Sequence, residues 1–228
     1  MNTLDGIDVL DALTSEERAK IAKLCRWKKY TAQEQIFDRQ SEQRDVFFVV
    51  KGRVKIVIYS LSGREVTLDD VLQGSFFGEL AALDGEPRSA SVMALEDTVL
   101  AILSAESFLE MLQEFPEISL NVMQRMAEII RQATDRILDL STLGANNRVH
   151  AEVLRMARLA EEDANGRPII RPIPVHSDMA SRVSTTRETV ARVMNDLARN
   201  HILKRNADHL LIEDLDRLED MVLEVRGF

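Results

Sequence analysis

"FFGELAALDGEPRSAS", residues 76–91, gathers two glycines, a glutamate (Glu79), an arginine (Arg88) and a serine (Ser89) into a short stretch. An arginine fork suits two oxygens of a phosphate, and a bent glycine-containing backbone can turn its N–H groups onto an anion. Gly, Asp and Pro also punctuate surface loops in any fold. Two readings are therefore open, a loop or a phosphate pocket. A second set of chemically capable residues lies in "HSDMASRVSTTRETVARVMNDLARN", residues 176–200. Thr186, Arg187, Glu188, Thr189 and Arg192 fall on one polar face of a helix whose other face is Val190, Val193, Met194 and Leu197. Arginine pairs bidentately with a guanine edge, and glutamate accepts from a cytosine amine. Lys204 and Arg205 follow in a hairpin-like segment, suited to DNA phosphates.

Charge and composition narrow the classes. The chain has 228 residues, 45% of them hydrophobic, and a net charge of −9. From His176 to Arg205, six basic residues face three acids, a local excess of +3 in an acidic chain. Such an island, rather than the total, is the footprint of a DNA reader, although ordinary ion pairs on a solvated helix face give similar counts. No apolar run approaches the roughly 18 residues of a membrane span, and the N-terminus lacks a basic-then-apolar leader pattern. The single cysteine, Cys25, fits a reducing cytoplasm. It cannot supply an iron–sulfur cluster, which takes about four ligands. The four histidines (His150, His176, His201, His209) make no compact metal site. No metal or haem is expected. No Ser–His–Asp pattern or Walker loop is present, so an enzyme is not expected.

The elements that must hold these residues change period along the chain. Leu4 to Leu24 reads as short helical turns, with Thr14 or Ser15 as an N-cap. From Trp27 to about Leu103, short β-branched runs ("VFFVVKGRVKIVIYS", "EVTLDDVL", "SASVMAL", "DTVLAIL") alternate with glycines. This spacing predicts a small β-barrel or roll, with no crossover helices for a parallel sheet. "SAESFLEMLQEF" is helical, and Pro116 opens a longer helix to about Leu140. Val122, Met126, Ile129, Ala133 and Leu140 follow coiled-coil spacing and are assigned to a dimer seam. Met123, Ile130 and Ile137 form a second apolar line; one line faces the β-domain and the other a partner helix. After "STLGANN" come an amphipathic helix, a proline-rich edge strand, and two short helices with a tight turn. Ser177 is expected to cap the first. Thr185 or Thr186 caps the second, with Glu188 near the capping-box position. A hairpin with an Asn-Ala-Asp turn and an acidic helix close the chain. The fold class is α+β, with a β-roll at 1–115, a long helix at 116–141 and a winged helix-turn-helix at 142–228.

The roll, the long helix and "TTRETVARVMNDL", in this order over essentially the whole chain, resemble the Crp/Fnr family of bacterial transcription regulators. "GELAALDGEPRSAS" resembles the family's phosphate-binding cassette. The resemblance implies that backbone N–H groups of Gly78, Glu79, Leu80 and Ala81 line a cyclic nucleotide. It also implies that Glu79 takes the ribose 2′-hydroxyl, Arg88 the cyclic phosphate with Ser89 adding a hydroxyl, and that Leu68 and Val71 pack on the purine. Ala133 and Thr134 stand where members that bind cyclic AMP hold the adenine with a Thr–Ser pair, and Ile129 replaces an arginine one turn earlier. Cyclic AMP is the first expected effector and cyclic GMP the second. The implied partners are a second copy of the chain, a palindromic operator in double-stranded DNA with TGTGA-like half-sites, and RNA polymerase. Arg187 and Arg192 would read guanines and Glu188 a cytosine. Two alternatives remain. One is a family member that binds DNA without a nucleotide or answers to another effector. The other is a nucleotide-binding regulatory subunit with no DNA role, which shares the roll but leaves the helix-turn-helix unexplained.

Overall fold

The computed structural model describes residues 2–61, 63 and 65–226. The chain forms two compact units, Met1–Ile129 and Ile130–Phe228.

The first unit opens with a 3₁₀ turn (Asp8–Leu10) and α1 (Ser15–Leu24). Thr14 and Glu17 cap α1 reciprocally. The Thr14 hydroxyl accepts from the Glu17 N–H, and the Glu17 carboxylate accepts from the Thr14 N–H at 2.8 Å. Eight strands follow: β1 (Arg26–Tyr30), β2 (Gln35–Phe37), β3 (Val46–Lys51), β4 (Arg53–Tyr59), β5 (Glu65–Leu72), β6 (Phe76–Phe77), β7 (Ser91–Ala94) and β8 (Thr98–Leu103). A short helix, α2 (Glu79–Asp84), interrupts them between β6 and β7. They make two antiparallel four-stranded sheets, ordered β1-β8-β3-β6 and β2-β7-β4-β5. The expected roll is thus present, with β1, β2 and β6 added to the runs legible in the sequence.

The unbroken apolar run of β3 has a physical reason. Phe47 and Val49 point into a core shared with Val54, Val71, Phe77, Val92 and Leu100. Val46 and Phe48, on the other face, join a second core built from α1, α3 (Ala105–Glu114) and the start of α4 (Pro116–Thr142). A strand covered on both faces loses the alternation of a half-exposed one.

Helix α4 is amphipathic in two directions. Val122, expected at a dimer seam, is instead buried in the core of its own unit beside Phe108 and Ile118. Met126 and Ile129 are half-buried, and Ala133 and Leu140 are exposed. The line left open to solvent is Met123, Ile130 and Ile137, at 60%, 65% and 65% exposure. Of the expected seam, Val122 is thus spent on the core of its own unit, and the second line is the more exposed one.

The second unit contains α5 (Ala145–Arg158), β9 (Glu161–Glu162), β10 (Pro168–Ile170), α6 (His176–Arg182), α7 (Arg187–Arg199), β11 (Leu203–Arg205), β12 (Leu210–Ile212) and α8 (Leu215–Arg226). The small sheet runs β11-β12-β10-β9. One core joins Val149 and Val153 of α5, Met179 of α6, Leu210 and Ile212 of β12 and Leu218 of α8 to the whole buried stripe of α7, Val190, Val193, Met194 and Leu197. This is a helix-turn-helix with a wing. Helix α6 begins one residue before Ser177, which is not its cap; Val175 holds that position without a side-chain bond. The cap of α7 is Thr186, whose hydroxyl accepts from the Thr189 N–H, so Glu188 sits one place too early to close a capping box.

Candidate ligand pocket and nucleic-acid interface

The "FFGELAALDGEPRSAS" stretch is partly helical. Gly78 ends β6 with φ of 86° and serves as the N-cap of α2. Only glycine enters that region without strain, and a Cβ here would lie 2.8 Å from Arg88 Nη1. Glu79, Leu80 and Ala81 form the first turn of α2, whose N–H groups have no partner within the helix. Glu79 and Ala81 are buried, the Leu80 side chain is exposed, and Ser89 is exposed.

Arg88 is 3% exposed. It donates from Nη1 to the Gly78 carbonyl at 2.7 Å and from Nη2 to the Asp45 carbonyl at 2.6 Å. Its guanidinium lies 4.2 Å from the Phe37 ring centre and 5.4 Å from that of Phe47, within the range of cation–π attraction. The Nε–H is buried and has no acceptor among the described residues. Burial disfavours the charged form, while Asp45 and Glu79 favour it. Glu79 does not bond to Arg88. Burial pushes its carboxyl pKa up, against its own backbone N–H and the charges of Arg125 and Arg88, which pull it down. Arg125 of α4 is itself paired with Asp69 of β5 at 2.9 Å. Phe37, Phe47, the Asp45 carbonyl and the Asp69–Arg125 pair were not legible in the sequence. They reach Arg88 and Glu79 from strands and a helix far along the chain, and the unbroken apolar run of β3 gives no alternation that would place Phe47 inside.

Two expected purine contacts stand differently. Val71 is buried in the roll core. Leu68 is 43% exposed. It is the extra residue of a β-bulge, since Asp69 pairs with Ile56 and Thr67 with Val57. The bulge turns Leu68 out of the roll interior. Ala133 and Thr134 are exposed on α4, and the Thr134 hydroxyl donates to the Ile130 carbonyl at 2.9 Å.

In the second unit, Thr186, Arg187, Glu188, Arg192, Lys204 and Arg205 are exposed and Thr189 is half-buried. Thr186, Arg187, Glu188, Thr189 and Arg192 come from the N-cap and first two turns of α7, opposite its buried stripe, and Lys204 and Arg205 come from β11. Glu188 is held below the ordinary carboxylate range by its own backbone N–H, the Thr186 hydroxyl and the Arg187 charge, so it stays an acceptor near neutral pH. Arg192 donates to Asn146 at 3.0 Å. The wing is the β11–β12 hairpin, closed by Asn206 N–H donating to the His209 carbonyl at 2.9 Å; Lys204 and Arg205 lie on its edge strand. No helix among the described residues is long and apolar enough to cross a membrane.

A β-roll with a buried arginine, a long helix and a winged helix-turn-helix with an exposed polar reading face define a DNA-binding regulator. Comparison with known proteins agrees. Residues 27–115 match the family signature of the cyclic nucleotide-binding domain, and residues 147–221 match that of the Crp-like helix-turn-helix domain. The cyclic AMP receptor protein of Thermus thermophilus is 28% identical over 218 residues, 96% of this chain and 98% of that one. The cAMP-activated global transcriptional regulator Vfr of Pseudomonas aeruginosa is 31% identical over 183 residues, 78% and 85% of the two chains. A CooA mutant from Carboxydothermus hydrogenoformans shares the fold with a TM-score of 0.82 at 24% identity, over 95% of this chain and 94% of that one. The chain belongs to the Crp/Fnr family: it is a DNA-binding transcription regulator with a cyclic-nucleotide-binding domain.

Proposed function

We propose that the protein is a dimeric regulator controlled by a cyclic nucleotide held in the β-roll, and that its paired α7 helices read a palindromic operator with TGTGA-like half-sites. The supporting observation is Arg88: a buried guanidinium whose Nε–H has no acceptor among the described residues, next to a buried Glu79 carboxyl. A buried donor without a partner is costly, and an anion supplies the missing acceptor. Arg88 and Ser89 take the cyclic phosphate, Glu79 the ribose hydroxyl, and the first-turn N–H groups of Glu79 to Ala81 add donors. Val71 lines the purine side. Ala133 and Thr134 bear on base choice, with cyclic AMP first, as in the names of the Thermus and Pseudomonas relatives, and cyclic GMP second. The phosphate reaches Arg88 by taking the place of part of the lining that now covers it. The functional regions run 1–115, 116–141 and 142–228, in a cytoplasmic protein that also meets RNA polymerase.

The second reading, a family member that works without a cyclic nucleotide, draws on the same residue. Both Nη groups of Arg88 already have carbonyl acceptors. Calorimetric titration of the purified protein with cyclic AMP and then cyclic GMP separates the two. Saturable heat with either supports nucleotide control, and the ratio of affinities reports on Ala133 and Thr134. No heat and no thermal shift with either favours the second reading.

On the DNA side, Arg187→Ala is expected to cost about 1–3 kcal/mol at one base pair of each half-site, with specificity relaxed there. Competition with singly substituted operators measures it. A uniform loss on all sequences would instead make Arg187 a phosphate contact.

A further inference from the structure

Beside the reading helix lies an open hollow of about 530 Å³, lined by the 173–175 segment, His176, Ser177, Arg187 and Arg205. Its lining draws on three places: the start of α6, the first residue of α7 and the last residue of β11. No carboxylate is in it. Among the described residues, Arg187 and Arg205 have no ion-pair partner, in a chain whose net charge is −9. Two guanidinium groups outside any ion pair among the described residues, an imidazole and a hydroxyl around one concavity form a site for an anion. The place of that site selects the anion. Its two arginines belong to α7 and to the wing, the elements assigned to the duplex, so a backbone phosphate of bound DNA is the group that meets it.

His176 gives this contact a property that an arginine or lysine would not have. Burial lowers its pKa below the ordinary histidine value, and Arg205 and then Arg187 lower it further. Those two are the charged groups facing it, from β11 and from α7; Ile173, Pro174, Val175 and Ser177 are uncharged. In the free protein at neutral pH the ring is therefore neutral. A phosphate placed in the hollow offsets part of that field and shifts the balance toward the imidazolium.

We propose that this hollow seats a phosphate of the DNA backbone and that His176 takes a proton from solvent as the phosphate enters, so that DNA binding is coupled to proton uptake. The inference rests on the DNA-binding assignment and extends it to pH. The sign follows from linkage. A group that binds more protons in the complex makes affinity fall as pH rises between its free and bound pKa values, by at most about tenfold per pH unit for one proton. Phosphate contacts carry little sequence information, so the effect belongs to all duplexes.

The test is fluorescence anisotropy of the full-length protein, with cyclic AMP present, on a random-sequence duplex of about 30 base pairs at constant ionic strength, because phosphate contacts are salt-dependent. The pH runs from about 5.5 to about 8.5, spanning the ordinary histidine value. Wild type is expected to weaken by about three- to tenfold across the titration of one histidine. His176→Gln is expected to be flat at the wild-type high-pH affinity, and His176→Lys flat at the tighter level. Binding of the random duplex at low pH reports DNA binding by itself. A flat wild-type profile with that binding intact would overturn the role of His176 alone. So would a His176→Gln variant that keeps the wild-type slope, since the proton would then belong to His150, His201 or His209.

Discussion

Arg88→Ala is expected to abolish nucleotide binding and with it any ligand-dependent gain in DNA affinity. Two charge-assisted hydrogen bonds from a guanidinium to a phosphate are each worth about 1.5–3 kcal/mol, so the affinity for cyclic AMP should fall by at least about 100-fold. The substitution also has a structural cost. It leaves the Gly78 and Asp45 carbonyls without their donors and empties a space beside Phe37 and Phe47. A buried acceptor left unpaired costs about 1–3 kcal/mol, which for a chain of this size lowers Tm by about 2–4 °C per kcal/mol. Arg88→Lys separates the two effects. It retains a charge for the phosphate but lacks the planar fork that reaches two carbonyls at once, so its affinity should lie between wild type and Arg88→Ala. Calorimetry with thermal melting of all three proteins reads both quantities. Unchanged nucleotide affinity in a folded Arg88→Ala protein would remove Arg88 from the pocket. Without nucleotide, binding to random-sequence DNA should stay at the wild-type level, since α7 and the wing belong to the other compact unit.

Ile130→Asp is expected to have the second large effect, on assembly. Met123, Ile130 and Ile137 recur every seven residues and are all well over half exposed, an arrangement that buries itself against a second copy of the same helix. Burying an isoleucine side chain is worth about 1.5–3 kcal/mol. In a two-fold interface the loss is counted twice, and the aspartate adds desolvation. The dimer dissociation constant should rise by more than about 100-fold at about 1.4 kcal/mol per factor of ten. Sedimentation velocity would show the monomer, and affinity for a palindrome would collapse toward that for one half-site. Val122→Ala is the control. Val122 is buried in its own unit, so that variant should lower Tm while leaving the mass in solution unchanged. A wild-type protein that sediments as a monomer at micromolar concentration would count against the seam.

Residues 176–200 show how much of this molecule could be read locally. The stripe of Val190, Val193, Met194 and Leu197 and the Thr186 cap depend on helix periodicity and on a bond spanning three residues. Of the two caps left open, Thr185 and Thr186, the structure uses Thr186, whereas Ser177 does not cap α6. The stripe appears where the sequence places it. The same holds for the long helix from Pro116 and for the strand runs β3, β4, β5, β7 and β8. Strands β1 and β2 were less legible. "RWKKY" and "QIF" are short and carry few β-branched residues, and they are strands because β8 and β7 lie beside them.

What the sequence determined by itself was the order of the units and the set of reactive side chains: a glycine-flanked Glu79 and Arg88, a polar reading face on one helix, and two apolar lines on another. Tertiary structure decided which of these groups face one another. It spent Val122 of α4 on the core, because Phe48 of β3 and Phe108 of α3 join it there. It turned Leu68 outward through a bulge that period-two reading cannot foresee. It set Arg88 against the Asp45 carbonyl, 43 residues away, and gathered His176, Arg187 and Arg205 into one hollow. The reason is common to all four. Caps, periodicity and turns act over a few neighbouring residues, whereas a pocket is made by side chains that meet only after the sheets and helices have packed.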